Sequence, residues 1–219
     1  MTDEPTTVLL VDDDELTRTG LRALLSTEPD VRVVGEASDG TQVLPLVFEL
    51  RPDVVLMDVR MPELDGIKAT ALLLERMPEP PKVLVITTFE NDDYVYDALK
   101  AGASGFLLKR ARPAQIAHAI RLVAAGDSLL FPDAVRRMVA GRAGLSPPMP
   151  GHTALTPREA EVLQLMAAGL SNQDIAERLV VGVETVKTHV GNVFAKLGAA
   201  NRTQAVIAAY ESGLVTPGR

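Results

Sequence analysis

The stretch VVLMDVRMPELDG, residues 54–66, contains four consecutive apolar residues followed by a single carboxylate, Asp58. A short apolar run of this kind is typical of a strand buried on both faces of a parallel sheet. The turn residues Pro62 and Gly66 come soon afterwards and end the strand. Most Asp residues in such places cap a helix or stabilise a turn. Features elsewhere in the sequence are therefore needed to show whether Asp58 also has a functional role.

The composition is that of an ordinary globular protein. The chain has 219 residues, of which 47% are hydrophobic and 23% charged, enough for one large or two modest domains with their own cores. It has no Cys, which excludes a disulfide framework and a thiolate metal site. No apolar run reaches the length of a membrane span, and the acidic start at residues 1–4 differs from a signal peptide. We therefore expect a cytoplasmic protein without a membrane partner.

The net charge of −7 is unevenly distributed along the chain. Residues 1–130 carry 13 Lys and Arg against 22 Asp and Glu, whereas residues 131–219 carry 9 against 7. This asymmetry indicates two units with different partners, of which the second is the more compatible with a polyanion. The bias is weak, because from residue 151 onward the counts are 6 and 6.

The first half of the chain alternates between strand-like apolar runs and helix-like periodicities. Strands are predicted at Thr7–Val11, Val31–Gly35, Asp53–Met57, Val83–Thr87 and Gly105–Leu108. Helices are predicted at Leu16–Ser26, Thr41–Leu50, Ile67–Arg76, Asp92–Ala101 and Pro113–Ala125. Five such βα units predict an α/β fold, a doubly wound parallel sheet with helices on both faces. A ligand site is then expected beyond the carboxyl ends of the strands.

The pattern stops at residues 141–151, where three Pro and three Gly in eleven residues predict a linker. A short helix is predicted just before it, at Asp133–Ala140. The later periodic segments are all helical, at Pro157–Ala168, Asn172–Leu179, Glu184–Leu197 and Arg202–Ser212. We therefore predict a first domain at 1–130, a short helix and linker at 131–152, and an all-α domain at 153–219.

Polar side chains follow four of the predicted strands: Asp12, Asp13 and Asp14 after the first, Asp58 after the third, Thr87 and Thr88 at the end of the fourth, and Lys109 after the fifth. Each has an ordinary explanation as a cap, a solvated charge or a surface residue. Their coincidence at one edge of the sheet instead points to a shared site, since clustered carboxylates favour a bound cation. An oxygen-only set of this kind suits Mg²⁺.

A carboxylate beside Mg²⁺, a hydroxyl and a lysine is equipped for acyl-phosphate chemistry. Asp58 is the expected nucleophile, and Mg²⁺ would neutralise phosphoryl oxygens during an in-line transfer. After the transfer, Lys109 and Thr87 would contact the remaining phosphoryl oxygens.

The second half begins with a capping box, in which Thr156 is the N-cap, Pro157 the first helical residue and Glu159 the third. The two short helices before and after Gly182 fit a helix-turn-helix. In the second of them, one face is apolar and is expected to point inward: Val186, Val190, Val193, Phe194 and Leu197. The opposite face is expected to point toward the major groove of DNA: Lys187, Thr188, Gly191 and Asn192. On pattern alone, that face could also be a solvated surface without a DNA role.

Residues 6–126 resemble the receiver domain of two-component response regulators. The resemblance is carried by Asp12-Asp13, by Asp58 in DVRMPELDG, by Thr87 and Lys109, and by AGASGF at 101–106. It implies the strand order 2-1-3-4-5, with Asp58 as the phosphoacceptor and a sensor histidine kinase as the phosphoryl donor. It also implies that Asp13 and Asp58 bind Mg²⁺, that Asp12 does so through water, and that the backbone carbonyl of Arg60 is a further ligand. Thr87 and Phe106 would form the switch pair, with Lys109 contacting the phosphoryl group.

Residues 153–216 resemble the LuxR-type helix-turn-helix of NarL/FixJ-type response regulators, on the motifs LTPREAEVL, GLSNQDIAERL, TVKTHVGNVFAKLG and RTQAV. The resemblance implies DNA contacts in three groups. Bases or their flanking backbone would be faced by Lys187, Thr188 and Gly191, and phosphate contacts would be supported by His189 and Asn192. The register on the DNA would be held, through backbone phosphates, by Ser171, Asn172 and Thr185. It also implies that the last helix is a dimer surface. Gly191 replaces a side chain that reads a base in some relatives, and Ala199-Ala200-Asn201 lacks the charged residues that are common before the last helix. Because the charge from residue 151 onward is also balanced, we expect weak monomer binding and dependence on dimerisation.

Together the two resemblances imply a transcription factor that is not an enzyme, apart from phosphotransfer and dephosphorylation within its own receiver. Phosphorylation of Asp58 would control dimerisation and sequence-specific binding to promoter DNA, and RNA polymerase is a further partner that the resemblance allows. The alternative is a phosphorylation-independent DNA-binding regulator with a degenerate or constitutive receiver. An aspartyl-phosphate hydrolase is disfavoured, because Arg60 stands where such enzymes usually need a second acid.

Overall fold

The computed structural model describes residues 4–88, 92–126 and 155–215. The chain divides into two compact units, residues 1–129 and 130–219. The predicted short helix at 133–140 and the predicted linker at 141–151 lie outside the described residues, so both stay predictions. Among the described residues, no helix has both the length and the apolar character that crossing a membrane requires.

The first unit contains a five-stranded parallel sheet with the strand order β2-β1-β3-β4-β5, which confirms the predicted fold class. The strands are β1 (Thr6–Val11), β2 (Val31–Ala37), β3 (Val54–Asp58), β4 (Lys82–Thr87) and β5 (Gly105–Leu108). Two of them are longer at their carboxyl ends than the sequence predicts. β2 continues to Ala37 because it pairs with β1 as far as Val11. β3 includes Asp58, which pairs with Ile86 of β4.

The helices of the first unit are α1 (Glu15–Leu25), α2 (Val43–Leu50), α3 (Gly66–Arg76), α4 (Asp92–Ala101) and α5 (Pro113–Ala124). A short 3₁₀ turn at Gly40–Gln42 precedes α2. Local side chains determine where two of these helices begin. The Asp14 carboxylate accepts a hydrogen bond from the amide of Leu16 at the start of α1, and the Asp65 carboxylate accepts one from Lys68 at the start of α3.

The central strand β3 is buried along its whole length. The apolar side chains on one face of the sheet pack against α1 and α5, in a cluster that includes Leu10, Leu56, Ile86, Leu25 and Ile120. Each such side chain stabilises the fold by about 1.5–3 kcal/mol through its removal from water. Because Asp58 is the last residue of this buried strand, its backbone is held rigidly at the carboxyl edge of the sheet.

The second unit is helical in its described part, with α6 (Pro157–Ala167), α7 (Asn172–Leu179), α8 (Val183–Leu197) and α9 (Arg202–Glu211). The predicted capping box is present: the Thr156 amide donates to Glu159 Oε2 over 2.7 Å, and the Glu159 amide donates to Thr156 Oγ1 over 3.3 Å. Glu159 is buried, and its carboxylate also pairs with Lys196 of α8, with 2.7 Å between Nζ and Oε2. The Lys196 contact and the Thr156 amide lower the pKa of Glu159 to about 2. The ion pair between Glu159 and Lys196 therefore links the start of α6 to α8.

Helices α7 and α8 form the two helices of the predicted helix-turn-helix. The turn between them begins at Val180, which has the left-handed backbone conformation with φ of 53°, and α8 begins directly after Gly182. The residues predicted to face inward from α8 are buried at Val186, Val190, Val193 and Leu197. Phe194 departs from that prediction, because its side chain is only half-buried.

Candidate functional site

Three charged side chains meet at the carboxyl edge of the sheet, one at the end of β3 and the others directly after β1 and β5. Lys109 Nζ, just after β5, lies 2.6 Å from Asp12 Oδ2 and 2.9 Å from Asp58 Oδ2. Both carboxylates are buried, with 1% of Asp12 and 6% of Asp58 exposed. The backbone places Lys109 there, because its amide donates to the carbonyl of Thr87 over 2.8 Å and so continues the pairing of β4 with β5.

Asp13 adds a third carboxylate to this site. One oxygen of Asp12, one of Asp13 and one of Asp58 lie within 4.8 Å of one another. Asp13 is exposed, so the cluster opens to solvent on its side. Asp12 Oδ2 is buried and accepts no hydrogen bond of good geometry, although the ammonium group of Lys109 is close to it. The three residues form an oxygen-only set that can hold a hard divalent cation.

The electrostatics of the site reflect two buried acids that share one lysine. Burial raises the pKa of Asp58, and although Lys109 acts in the opposite direction, the net shift is upward. The charge of Asp12 adds to that upward shift. Burial lowers the pKa of Lys109, but the close contacts of its ammonium group with the two carboxylates outweigh this, so the lysine stays protonated. A bound cation would favour the ionised form of Asp58.

The segment after Asp58, residues 59–65, is a tight loop. Asp58 Oδ1 accepts a hydrogen bond from the Val59 amide over 2.7 Å, and the Gly66 amide donates to the Val59 carbonyl over 2.9 Å. A Cβ on Gly66 would lie 2.0 Å from the carbonyl oxygen of Asp58. Only glycine therefore allows α3 to begin so close to the end of β3. This explains why the apolar strand is followed by a turn that ends in glycine.

The other residues predicted for this site lie around the same edge. Arg60 is exposed in the loop, with its guanidinium carbon 5.7 Å from the centre of the Tyr94 ring on α4. Thr87 is buried at the end of β4, and Phe106 is half-buried on the neighbouring strand β5. The structure therefore brings Thr87 and Phe106 onto adjacent strands. Their switch role, and the role of the Arg60 carbonyl as a ligand, stay predictions.

In the second unit, α8 presents a polar face to solvent. Four of the residues predicted to face DNA are exposed along it, together with Thr185 of its first turn: Lys187, Thr188, Gly191 and Asn192. His189 is half-buried. A Cβ on Gly191 would meet no atom within 4 Å, so the middle of this face is open. A helix of this kind, preceded by a shorter helix and a turn, has the geometry that enters a major groove.

Glu184 lies in the first turn of α8 and was not among the functional residues predicted from the sequence. Its Oε1 is 2.8 Å from Lys187 Nζ, and its backbone carbonyl accepts a hydrogen bond from Thr188 Oγ1 over 3.0 Å. The spacing of three residues between Glu184 and Lys187 could have revealed this ion pair. An acidic side chain therefore lies beside the cation that is expected to contact DNA.

Ser171 and Asn172, predicted to contact phosphates, lie at the start of α7. Ser171 Oγ accepts from the Asp174 amide over 3.1 Å and donates to Asp174 Oδ2 over 2.7 Å, so it caps the helix. Asn172 Oδ1 accepts from a guanidinium nitrogen of Arg202 over 3.2 Å, and Arg202 also donates to the Leu170 carbonyl. These contacts join the start of α7 to α9. The DNA roles of Ser171 and Asn172 stay predictions.

Two family models match this chain. Residues 8–121 match the model of the response regulator receiver domain, and residues 153–209 match the model of bacterial regulatory proteins of the luxR family. The protein belongs to the response regulators that combine a receiver domain with a LuxR-type helix-turn-helix DNA-binding domain, and it is a transcription regulator.

The relatives share this organisation over almost their whole length. The transcriptional regulatory protein LiaR of Bacillus subtilis (strain 168) is 42% identical over 208 residues, which is 95% of this chain and 98% of LiaR. The crystal structure of ChrA, the response regulator of a heme-sensing two-component system, is 36% identical with a TM-score of 0.53, over 96% of this chain and 99% of that one. A structure of two RcsB dimers bound to two parallel DNAs is 25% identical with a TM-score of 0.55, over 95% and 99%.

Proposed function

We propose that this response regulator accepts a phosphoryl group on Asp58 from a sensor histidine kinase. We further propose that the modification controls dimerisation and sequence-specific binding to promoter DNA in the cytoplasm. One observation carries the proposal: Asp58 ends a fully buried strand and lies in contact with Lys109, within reach of Asp12 and Asp13. This arrangement holds a nucleophilic carboxylate beside a fixed cation and further carboxylates that can hold a metal.

The proposed cation is Mg²⁺, held by Asp12, Asp13, Asp58 and the backbone carbonyl of Arg60. When bound, it would neutralise charge on the phosphoryl oxygens during transfer. An oxygen of Asp58 attacks the phosphorus while the bond from phosphorus to the histidine nitrogen of the kinase breaks. Lys109, which already lies 2.9 Å from Asp58, is placed to contact a phosphoryl oxygen. The receiver thus contributes groups to its own phosphotransfer and to later hydrolysis of the acyl phosphate.

The proposed response begins with the added charge, about −1.5 to −2 at neutral pH by analogy with other phosphorylated side chains. Thr87 would turn its hydroxyl toward the phosphoryl group, and the ring of Phe106 on the adjacent strand would follow. The changed surface near α4 and α5 would then promote dimerisation.

DNA binding is proposed to use the exposed face of α8, with Lys187, Thr188 and Gly191 nearest the bases and His189 and Asn192 near the phosphates. Thr185, Ser171 and Asn172 would set the register on the backbone. The DNA-bound dimers of the similar protein RcsB support a dimeric mode of binding. RNA polymerase is a further proposed partner.

The test is the intact mass of the protein after incubation with acetyl phosphate and Mg²⁺. We expect the wild-type protein to gain the mass of one phosphoryl group and D58N to gain none. The control is D53N, which makes the same chemical change at the opposite edge of the sheet, where Asp53 Oδ2 accepts from the Thr7 amide. Equal phosphorylation of wild type and D58N would refute Asp58 as the acceptor.

A further inference from the structure

A fourth carboxylate, that of Asp39, lies outside the acidic cluster and binds backbone amides of the loop that follows Asp58. Asp39 lies between β2 and α2 and is buried, with 8% of the residue exposed. Its Oδ1 accepts a hydrogen bond from the Thr41 amide over 2.9 Å. Its Oδ2 accepts from the Glu63 amide over 2.9 Å and lies 3.5 Å from the Leu64 amide. One side chain therefore binds its own turn with one oxygen and the loop at 59–65 with the other.

The neighbouring glycine tightens the same contact. A Cβ on Gly40 would lie 2.2 Å from the carbonyl oxygen of Leu64 and 3.2 Å from Cβ of Ala69. The turn at Gly40 therefore approaches the loop so closely that no side chain fits between them. Asp39 binds the amide of Glu63, and Gly40 lies against the carbonyl of Leu64. These two adjacent residues therefore fix the position of the loop at 63 and 64.

The other end of the loop is fixed at the phosphoacceptor itself. The Gly66 amide is bonded to the Val59 carbonyl, and Gly66 packs against the backbone of Asp58. Arg60, whose carbonyl is the proposed metal ligand, lies between these two anchors. Because hydrogen bonds from amides to an ionised carboxylate are stronger than neutral ones, the Asp39 anchor is well suited to restrict this segment.

We propose that Asp39 is a positioning residue, which holds the loop at 59–65 so that the Arg60 carbonyl is directed into the acidic cluster to bind Mg²⁺. The inference rests on the proposed function and deepens it. Asp39 lies outside the cluster of Asp12, Asp13 and Asp58, so it would act through the backbone of Glu63 and not as a ligand. Burial acts to raise the pKa of Asp39, but the hydrogen bonds from the amides of Thr41 and Glu63 lower it by more. The net shift is downward, so the carboxylate stays ionised at neutral pH.

The direct test is a calorimetric titration of the full-length protein with Mg²⁺, comparing wild type with D39N and G40A. Mutation of a residue that orients a metal ligand without contacting the metal typically weakens metal affinity about 10–100-fold. We therefore expect D39N to weaken Mg²⁺ binding about tenfold. G40A should weaken it as well, because the added Cβ displaces Leu64 without changing any charge. D58N serves as the positive control, since it removes a ligand, and D53N serves as the matched control with unchanged affinity.

A second measurement separates positioning from loss of stability. The initial rate of phosphorylation by acetyl phosphate is measured over a range of Mg²⁺ concentrations. If Asp39 positions a ligand, D39N needs about ten times more Mg²⁺ for half-maximal rate, and saturating Mg²⁺ restores most of the wild-type rate. If Asp39 only stabilises the fold, the maximal rate falls with the folded fraction and the half-saturating concentration is unchanged.

Besides an unchanged half-saturating concentration of Mg²⁺ in D39N, two further outcomes would overturn the inference. The first is unchanged Mg²⁺ affinity in D39N and G40A, both shown to be folded by circular dichroism. The second is a wild-type protein that binds no Mg²⁺. A wild-type protein that binds Mg²⁺ but accepts no phosphoryl group would instead refute the proposed function, and the calorimetric comparison would still decide the role of Asp39.

Discussion

At the scale of single residues, Asp58 is held in an environment that opposes its ionisation. Burial is the largest influence and raises the pKa of Asp58, and the nearby charge of Asp12 acts in the same direction. A buried acid with a raised pKa binds a proton more tightly in the folded state than in the unfolded chain. Stability therefore falls as the pH rises from the ordinary carboxyl range through the raised pKa.

This sign predicts that D58N is the more stable protein when no divalent cation is present. In EDTA at neutral pH, we expect D58N to unfold at a higher temperature than wild type, because ionisation of residue 58 no longer costs stability. The difference should shrink as the pH falls toward about 4, where the carboxyl group of the unfolded chain also becomes protonated. Thermal unfolding followed by circular dichroism over a pH series measures both effects.

Added Mg²⁺ provides the control for this prediction. The cation should raise the unfolding temperature of wild type more than that of D58N, because it binds the ionised carboxylate in the folded state. A wild-type protein that is more stable than D58N at neutral pH in EDTA would show that the ion pair with Lys109 outweighs burial.

The residues of the acidic cluster could be predicted from the sequence because parallel strands carry their last residues to one edge. Asp12, Asp58 and Lys109 each follow a recognisable apolar strand, and the structure brings them together. Asp39 and Gly40 could not be found this way. Their partners lie 24 and 25 residues away in a loop, and a contact between two loops leaves no periodic signal in the sequence.

At the scale of elements, the helix expected to read DNA contains an acidic residue, Glu184, that pairs with Lys187 of the same helix. The side chain of Glu184 is 84% exposed and that of Lys187 is 57% exposed, and the two form an ion pair one turn apart on α8. Exposed pairs of this kind add little stability, so the fold does not depend on this one. Glu184 therefore matters chiefly for the charge that α8 presents to phosphates.

We predict that E184Q binds DNA more tightly than wild type. Removal of the carboxylate frees Lys187 for a phosphate or base and removes one like charge from the interface. The salt dependence of binding should steepen by about one unit in the slope of log affinity against log salt concentration. Mobility shifts or anisotropy titrations at several salt concentrations measure both quantities.

The matched control is E161Q on α6, which also disrupts an exposed pair between residues three apart, here with Arg158. It changes the net charge of the protein equally but leaves α8 untouched. If E161Q and E184Q raise the affinity by the same factor, the effect is one of overall charge and Glu184 has no particular place in the interface.

The boundaries of the elements followed the sequence where a cap or a strict periodicity defined them. The capping box of α6 and the buried face of α8 at Val186, Val190 and Val193 were predictable from local pattern. The length of β2 was not, because its last residues are held by pairing with β1. Phe194 follows the apolar period of α8 but is only half-buried, since periodicity gives the direction of a side chain and not the extent of its cover.

At the scale of the whole molecule, the two family models match residues 8–121 and 153–209 and leave the predicted linker between them. The chain thus joins an acidic receiver unit to a nearly neutral DNA-binding unit. From residue 151 onward, the sequence contains 6 Lys and Arg and 6 Asp and Glu, so their charges balance. A single copy of this unit neutralises few phosphates, and electrostatic neutralisation supplies much of the affinity for DNA.

We therefore predict that binding to promoter DNA depends on two copies of the chain joined after phosphorylation. With acetyl phosphate and Mg²⁺, the bound fraction of DNA should rise with about the second power of protein concentration, because a pair of linked sites gains affinity that neither has alone. Mobility shifts over a concentration series, with sedimentation at the same concentrations, measure the order of binding and the state of the protein. D58N under the same conditions should stay monomeric and bind weakly. If wild type binds equally well with and without acetyl phosphate, the receiver does not control the DNA-binding unit, and the protein is a phosphorylation-independent regulator.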